Sequence, residues 1–260
     1  MTSLAAIMNL HREGILAHPS IRSFAQCCRV AEDAGVSVRR IAVLDRPDDL
    51  TVEAVSIHAG SVFDAVERCD FGDLGCARNF GVRLAAEDHV AFFDADDLWG
   101  DRWIAESINF LERQPHPERT ACHPEYLYVF HASDFLSQSQ TDVPSQGRSN
   151  ILRFTDSADA SFDKASLIFL NPYSSNSLAR RDLYAQHPFP AVERATGYGV
   201  EDWWWNAQTL GLGIRHATVP NTVHLVRRRT GSSLSQQNVS ESLLPAMHRL
   251  GAGLAGWHRR

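Results

Sequence analysis

The chain has 260 residues, of which 44% are hydrophobic and 22% charged, and its formal net charge is −6. This is the composition of an ordinary globular protein with a substantial core, and the acidic balance argues against a broad nucleic-acid-binding surface. The five cysteines are odd in number and lack C-x-x-C spacing, which favours reduced thiols in the cytosol over disulfides or a zinc site. No stretch reaches the ~20 apolar residues that a membrane-spanning helix needs. We therefore expect a cytoplasmic protein, at most peripheral at the inner face of a membrane.

Short apolar runs alternate with segments of helical spacing through the first half of the chain. The pattern predicts strands at residues 5–8, 38–44, 61–67 and 90–93, and helices at 19–34, 50–58 and 72–86. Such alternation predicts a mostly parallel sheet with helices on both faces. Ligands bind these sheets beyond the carboxyl ends of the strands, where the loops after Met8, Leu44 and Phe93 are rich in ionisable residues.

The second half of the chain is less regular. It predicts a helix at 101–111, strands at 125–130, 166–170 and 177–179, helices at 181–186 and from Glu201, and a hairpin of strands 214–219 and 222–227. The polar residues 133–150 are typical of a flexible loop. We expect one domain over residues 1–235 and a C-terminal amphipathic extension over 236–260, which could be the start of a longer chain.

An apolar run ends at three carboxylates, Asp94, Asp96 and Asp97. Like charges so close together repel, and a hard divalent cation with oxygen ligands would relieve the repulsion. The alternative is a solvated turn that caps the next helix, since aspartate is also a good N-cap and turn residue. These residues alone leave both interpretations open.

A second acidic pair, Glu201 and Asp202, falls in the first turn of a predicted helix, where the helix dipole stabilises negative charge. Three tryptophans follow, and successive helical residues point about 100° apart, so they cannot all face one core. Trp204 has core spacing with Val200 and Ala207, whereas Trp205 lies on the side of the carboxylates. We expect Trp205 to stack on a sugar ring; a core-filling role for all three tryptophans stays open.

Several short motifs occur in a fixed order: residues 8–13 after the first strand, Asp45 after the second, then Ala77-Arg78-Asn79-x-Gly81, Asp94-x-Asp96-Asp97 and Gly199-x-Glu201-Asp202-Trp203. In this combination the chain resembles the family 2 glycosyltransferases over about residues 5–230. The resemblance implies the GT-A fold, a Rossmann-like α/β architecture with a mostly parallel sheet and a small antiparallel portion on the acceptor side. The Arg12-Glu13-Gly14 stretch departs from many members, which have a shorter Asn-Arg there.

The resemblance implies an inverting, metal-dependent transfer of a hexose from a nucleotide diphosphate donor to a hydroxyl of a saccharide or glycolipid acceptor. Cell-surface polysaccharide or lipopolysaccharide synthesis is the setting it implies. Further domains or a homo-oligomer stay open. Two alternatives are a non-catalytic sugar-nucleotide-binding domain, against which the intact Asp96 and Asp202 argue, and a sugar nucleotidyltransferase. The latter should carry a G-x-G-T-R-type signature that residues 9–14 lack.

The resemblance also assigns roles to residues. Asp202 is the expected catalytic base, which takes the proton of the acceptor hydroxyl. Mn²⁺ or Mg²⁺ is expected at Asp96, Asp97 and His224, although a histidine in a strand is more often structural. The expected substrate-binding residues are Leu10, His11, Glu13, Asp45, Arg78, Asp94, Glu201 and Trp205. The basic residues 227–229 and the following Thr230 to Ser233 could form a lid over the diphosphate or a solvated loop.

Overall fold

The computed structural model describes residues 2–131, 150–228 and 243–245. Its strands are β1 (Ser3–Leu10), β2 (Ser37–Asp45), β3 (Ala65–Cys69), β4 (His89–Asp94), β5 (Leu98–Trp99), β6 (Thr120–His131), β7 (Asn150–Arg153), β8 (Leu178–Arg180) and β9 (Arg215–Arg228). Its α-helices, numbered in chain order, are α1 (Ala17–Asp33), α2 (Asp49–Val62), α3 (Leu74–Leu84), α4 (Trp103–Leu111), α5 (Arg181–Gln186) and α6 (Glu201–Gly211). The predicted loop at 133–150 lies outside the described residues apart from Asn150, as do the Thr230–Ser233 lid and most of the C-terminal extension.

All nine strands form one sheet in the order β3-β2-β1-β4-β8-β6-β9-β5, with β7 paired to β6. The β3-β2-β1-β4 half is parallel, and its register places Asn9 beside both Val43 and Asp94. The carboxyl ends of β1, β2 and β4 therefore meet at one edge, as the sequence predicts. In the other half β8 is antiparallel to both β4 and β6, while β6 and β9 run parallel.

Alternate residues of the buried strands pack on opposite faces of the sheet. Phe93 lies with α1 and α4 in one apolar cluster, where it contacts Phe24 edge to face. Its neighbour Phe92 lies in the other cluster, with α3, α5 and α6, and contacts Tyr184. Burial on both faces explains why these strands have continuous apolar sequences.

Two aspartates fix helix starts that face the carboxyl edge of the sheet. The side chain of Asp48 accepts from Thr51 N at 2.9 Å to begin α2, and that of Asp73 accepts from Cys76 N at 2.8 Å to begin α3. Each satisfies an amide that has no partner within its helix. Asp73 also accepts from Val192 N at 2.7 Å, so the start of α3 is tied to the second half of the chain.

Three predicted elements differ in the structure. Residues 61–67 divide between the end of α2 and β3, so the strand is shorter than predicted. The apolar residues 166–170 are not a strand: Lys164–Ile168 form a 3-10 turn, which Asp163 begins by accepting from Ala165 N. The predicted hairpin at 214–227 is one strand, β9, in which Asn221 takes a left-handed backbone (φ 62°) and the register with β6 shifts. Pro220-Asn221 thus makes a bulge where the sequence predicts a turn.

Gly81 of α3 packs against Ile7 of β1. A Cβ at this position would lie 2.8 Å from Cγ2 of Ile7, which is buried. We expect Gly81→Ala to lower the free energy of unfolding by about 1–3 kcal/mol, because a packed core cannot absorb the methyl group. Gly60 in α2 is the matched control, since nothing lies within 4 Å of its Cβ position. Gly60→Ala should raise the free energy by about 0.5–1 kcal/mol in urea denaturation; the same sign for both variants would contradict this packing.

Candidate active site

Asp94 ends β4, and its carboxylate is held by groups from both halves of the chain. Its Oδ1 accepts from Arg78 Nη2 at 3.1 Å, and its Oδ2 accepts from Asn176 Nδ2 at 3.0 Å and Ser175 Oγ at 3.2 Å. The negative charge at the strand end is therefore paired with an arginine. Asn176 lies just before β8, in the second half of the chain.

The residues after Asp94 turn back, with Asp97 N donating to Asp94 O at 3.3 Å. Asp97 is buried, and its carboxylate accepts from His224 Nε2 at 2.8 Å and from Arg227 N at 2.8 Å. The His224 ring stacks on Trp99 with centroids 4.0 Å apart. Asp96 is half-buried, and Arg227 Nε donates to its backbone oxygen at 2.9 Å. The segment is thus both a turn and an acidic cluster, and its three carboxylates differ in their surroundings.

Arg78 joins Asp94 to the acidic pair Glu201-Asp202. Its side chain is fully buried, and its Nη1 donates to Glu201 Oε1 at 2.8 Å while its Nη2 bonds Asp94. Burial by itself would lower the pKa of Arg78, but the carboxylates of Asp94 and Glu201 hold that pKa above its ordinary value. Both Nη atoms of the guanidinium are thus engaged by carboxylates, in a side chain shielded from solvent. Direct contact between Arg78 and the donor stays a prediction that requires the side chain to move.

A strained turn places the second acidic pair. Val200, directly before α6, has a left-handed backbone (φ 58°) that a β-branched residue rarely adopts. A Cβ on the preceding Gly199 would lie 2.7 Å from Leu243 Cδ1, so a larger residue would require the Leu243 side chain to shift. Glu201 is buried and Asp202 is half-buried. The turn that places Glu201 and Asp202 therefore depends on the backbone conformation of Val200.

The pKa of the Asp202 carboxyl group lies well above the ordinary value for an aspartate. Burial, followed by the charge of Glu201, raises its pKa from 3.8 to about 7, although Arg78 opposes the shift. Its Oδ1 accepts from Trp203 N at 2.7 Å and its Oδ2 from Asn171 Nδ2 at 3.0 Å. A carboxylate with a pKa near neutrality is a suitable general base at physiological pH.

The predicted stacking role of Trp205 is wrong. The residue does lie on the Glu201 side of α6, but that side faces the core and Trp205 is 1% exposed. Its ring stacks on Phe189 with centroids 5.0 Å apart, and its Nε1 donates to His187 O at 2.7 Å. Trp204, expected to have core spacing, is only half-buried. The sequence correctly placed Trp205 on the same side of the helix as Glu201, but wrongly predicted that this side faces a ligand.

The predicted nucleoside-binding residues surround the ends of β1 and β2. His11 is exposed and its Nδ1 is hydrogen-bonded to Asp45 O, while its N donates to Glu13 Oε2 at 2.7 Å. The Leu10 side chain is in the core, which leaves its backbone for ligand contact. The Asp45 carboxylate accepts from the N–H groups of Phe71, Gly72 and Asp73 at 2.8–3.0 Å. It therefore shapes the loop before α3, and its contact with a base stays a prediction.

Two asparagines at the site, Asn79 and Asn9, had no predicted role. Asn79 exchanges two hydrogen bonds of 2.8 and 2.9 Å with the backbone of Phe189, which gives the third position of the A-R-N motif a structural role. Asn9, at the carboxyl end of β1, is buried, and both polar atoms of its amide lack a partner among the described residues. Such an amide calls for water or a ligand. Its position at the predicted ligand edge was the only signal in the sequence.

The residues suit a hard divalent cation, because carboxylate oxygens dominate the cluster. Within residues 2–131, 150–228 and 243–245 no group of three or more His, Cys, Asp or Glu side chains forms a ready-made metal site. Mg²⁺ commonly binds through one or two carboxylates plus substrate phosphates, for which Asp96 and Asp94 are suitably placed. Asp97 and His224 bond each other, so their predicted roles as ligands would require that pair to open.

Residues 38–157 match the model of the family described as Glycosyl transferase family 2. The matched segment includes Arg78 and the three aspartates Asp94, Asp96 and Asp97. The resemblance predicted from the sequence is thereby confirmed. No protein with a curated description matches the chain.

Solved structures agree with the family 2 domain. S. aureus TarS (residues 1–349, in complex with UDP-GlcNAc) superposes with a TM-score of 0.60 and 15% identity, covering 90% of this chain and 61% of that one. The mannosyltransferase PcManGT from Pyrobaculum calidifontis, in complex with GDP-Man and Mn²⁺, gives 0.52 and 18%, covering 85% and 56%. The GT-A fold is thus confirmed. The chain spans about three fifths of the length of these proteins, and none of its described helices is long and apolar enough to cross a membrane.

Proposed function

We propose that this protein transfers a sugar from a nucleotide diphosphate donor to an acceptor hydroxyl, with inversion at the anomeric carbon. The observation that carries the proposal is the pair of acidic groups at the carboxyl edge of the sheet, Asp94 on one side and Glu201-Asp202 on the other, joined by the buried Arg78. One side offers oxygen ligands near a strand end, and the other offers a base of near-neutral pKa. Such a division suits a reaction with a charged leaving group and a neutral nucleophile.

The proposed donor site lies at the ends of β1, β2 and β4, near His11, Asp45 and Asp94. The similar structures were solved with UDP-GlcNAc and with GDP-Man, which supports a sugar nucleotide here without deciding the base. A divalent cation held by Asp96 and Asp94 would neutralise charge on the departing diphosphate. As the glycosidic C–O bond breaks, the electron pair leaves with the diphosphate oxygen.

The proposed acceptor side is built by the second half of the chain. An acceptor hydroxyl attacks the anomeric carbon from the face opposite the diphosphate, and Asp202 takes its proton. Glu201 is buried and paired with Arg78, so we assign it to holding the site rather than to sugar binding. We retain a saccharide or glycolipid acceptor in cell-surface polysaccharide or lipopolysaccharide synthesis as the proposed setting.

A thermal-shift screen of UDP-, GDP-, dTDP- and CMP-sugars, with Mn²⁺ or with EDTA, tests the donor site. We expect one nucleotide to raise the melting temperature only with the metal, by the equivalent of about 2.7 kcal/mol at 100 times its Kd. Asp96→Ala should abolish the shift. The exposed Asp101 is the matched control, and Asp101→Ala should retain it. No response to any nucleotide sugar would refute the donor site.

Release of nucleotide diphosphate separates an enzyme from a non-catalytic binding domain. With the stabilising donor and a panel of saccharide acceptors, we expect diphosphate release that depends on the acceptor. Stabilisation without any release would favour the binding domain.

A further inference from the structure

Two asparagines connect the core to the carboxylate of Asp202. Asn206 lies one turn after Asp202 on α6 and is buried, and its Nδ2 donates to Asn171 Oδ1 at 2.8 Å and to Tyr173 O at 3.3 Å. Asn171 Nδ2 in turn donates to Asp202 Oδ2 at 3.0 Å. We propose that Asn171 is a positioning residue for the proposed transfer reaction, which holds Asp202 in one orientation and stabilises its ionised form. The proposal rests on the function proposed above.

The backbone oxygen of Tyr173 fixes the direction of this hydrogen-bonded chain. Because that oxygen can only accept, the amide group of Asn206 that faces it must be the NH₂. The same NH₂ meets Asn171, which must therefore present its oxygen to Asn206 and its NH₂ to Asp202. A reversed Asn171 amide would oppose two donors at one end and two acceptors at the other, so it is the neighbours that settle the assignment.

The carboxylate of Asp202 is thereby held at both oxygens. Trp203 N donates to Oδ1 from within the helix, and Asn171 donates to Oδ2 from the segment between the 3-10 turn and β8. Each carboxylate oxygen still has a lone pair for an incoming hydroxyl. The plane of the base is fixed before an acceptor arrives, which is the arrangement that efficient proton transfer needs.

A neutral hydrogen-bond donor, such as the Asn171 amide, suits the charges around Asp202. Asp202 faces Glu201 from its own helix, Asp94 from β4 and Arg78 from α3, and Arg78 already bonds both of the other carboxylates. A further cation on Asp202 would make it a poor base, because the proton would have to displace an ion pair. An amide N–H stabilises the anion more weakly.

A double-mutant cycle in thermal unfolding tests this without any substrate. At about pH 8.5, where Asp202 is ionised, Asn171→Ala should lower the melting temperature by a few degrees more than at about pH 5.5. In the Asp202→Asn background the effect of Asn171→Ala should be the same at both pH values. A pH-independent loss, or a pH-dependent loss that persists without Asp202, would overturn the proposal.

Asn171→Asp is the matched variant, since it keeps the size and still accepts from Asn206. The new carboxylate cannot donate when ionised, and it adds a negative charge beside Asp202. Asn171→Asp should therefore lower the melting temperature more than Asn171→Ala does at about pH 8.5. An Asn171→Asp variant as stable as the wild type at that pH would also overturn the proposal.

Kinetics separate positioning from a purely structural role once a donor is known. Asn171→Ala should lower kcat about 10- to 100-fold, move the acid limb of the kcat/KM profile to higher pH and leave the donor Kd unchanged. An unchanged pH profile would overturn the proposal. If no sugar nucleotide binds, the transferase function fails, whereas the unfolding cycle still decides whether Asn171 stabilises the Asp202 anion.

Discussion

Asp202→Asn should slow transfer strongly while donor binding persists. Asparagine keeps the shape, and its single oxygen can still accept from Trp203 N or from Asn171, but it cannot take a proton. General-base catalysis contributes roughly 10²–10⁴-fold, so kcat should fall by that factor. The checks are diphosphate release and the thermal shift given by the donor. Transfer at the wild-type rate would mean that another residue is the base.

The same substitution should stabilise the protein at alkaline pH. The pKa of Asp202 is raised from 3.8 to about 7 on folding. Between these values the folded state holds a proton that the unfolded state has released, so stability falls as the pH rises through this window and stays lowered above it. Asp202→Asn removes this penalty, which is on the order of a few kcal/mol. The gain in the free energy of unfolding, measured by urea denaturation, should therefore be large at about pH 8 and small at about pH 4.

The matched control for this pH dependence is Asp182→Asn. Asp182 also lies in the first turn of a helix, but its side chain is 69% exposed. Its substitution should leave the dependence of stability on pH unchanged. Equal pH-dependent gains in both variants would show that the raised pKa of Asp202 has no part in the effect.

Arg78→Met should be the most destabilising single change at the site. It fills a similar volume but leaves Glu201 and Asp94 without their cation in a buried place. Removing one partner of a buried ion pair typically costs about 3–5 kcal/mol. Since Arg78 also lowers the pKa of Asp202, the variant should hold this base protonated to a higher pH. Urea denaturation measures the first effect, and the pH profile of transfer measures the second.

Two variants make the interpretation of Arg78 specific. Arg83→Met changes an exposed arginine in the last turn of the same helix and should alter stability by less than about 0.5 kcal/mol. Glu201→Gln in the Arg78→Met background should recover part of the loss, because it removes one of the two uncompensated charges. If Arg78→Met is as mild as Arg83→Met, the buried network is not what holds Asp94 and Glu201 together.

Local patterns in the chain determined most of the parallel half of the fold. Continuous apolar runs predicted β1, β2 and β4, and they are buried on both faces. Helical spacing predicted α1 to α4, and the order of strand and helix predicted that the loops after β1, β2 and β4 share an edge. The predictions that were wrong concern segments whose conformation depends on tertiary contacts. Residues 166–170 are apolar enough for a strand, yet Asp163 turns them into a 3-10 turn. Pro220-Asn221 resembles a hairpin turn, yet β6 keeps both sides in one strand.

By itself, the sequence singled out the acidic residues of the proposed site, because Asp94, Asp96, Asp97, Glu201 and Asp202 stand in local motifs whose order carries the resemblance to the family. Only the tertiary structure decided how those residues are paired and oriented. Asp94 and Glu201 lie 107 positions apart, Arg78 bonds both, and no local spacing encodes that bridge. The inward direction of Trp205, the pairing of Asp97 with His224 and the asparagines behind Asp202 likewise depend on packing between distant segments. Helical periodicity shows which residues share a face, but the direction of that face is set by what it packs against.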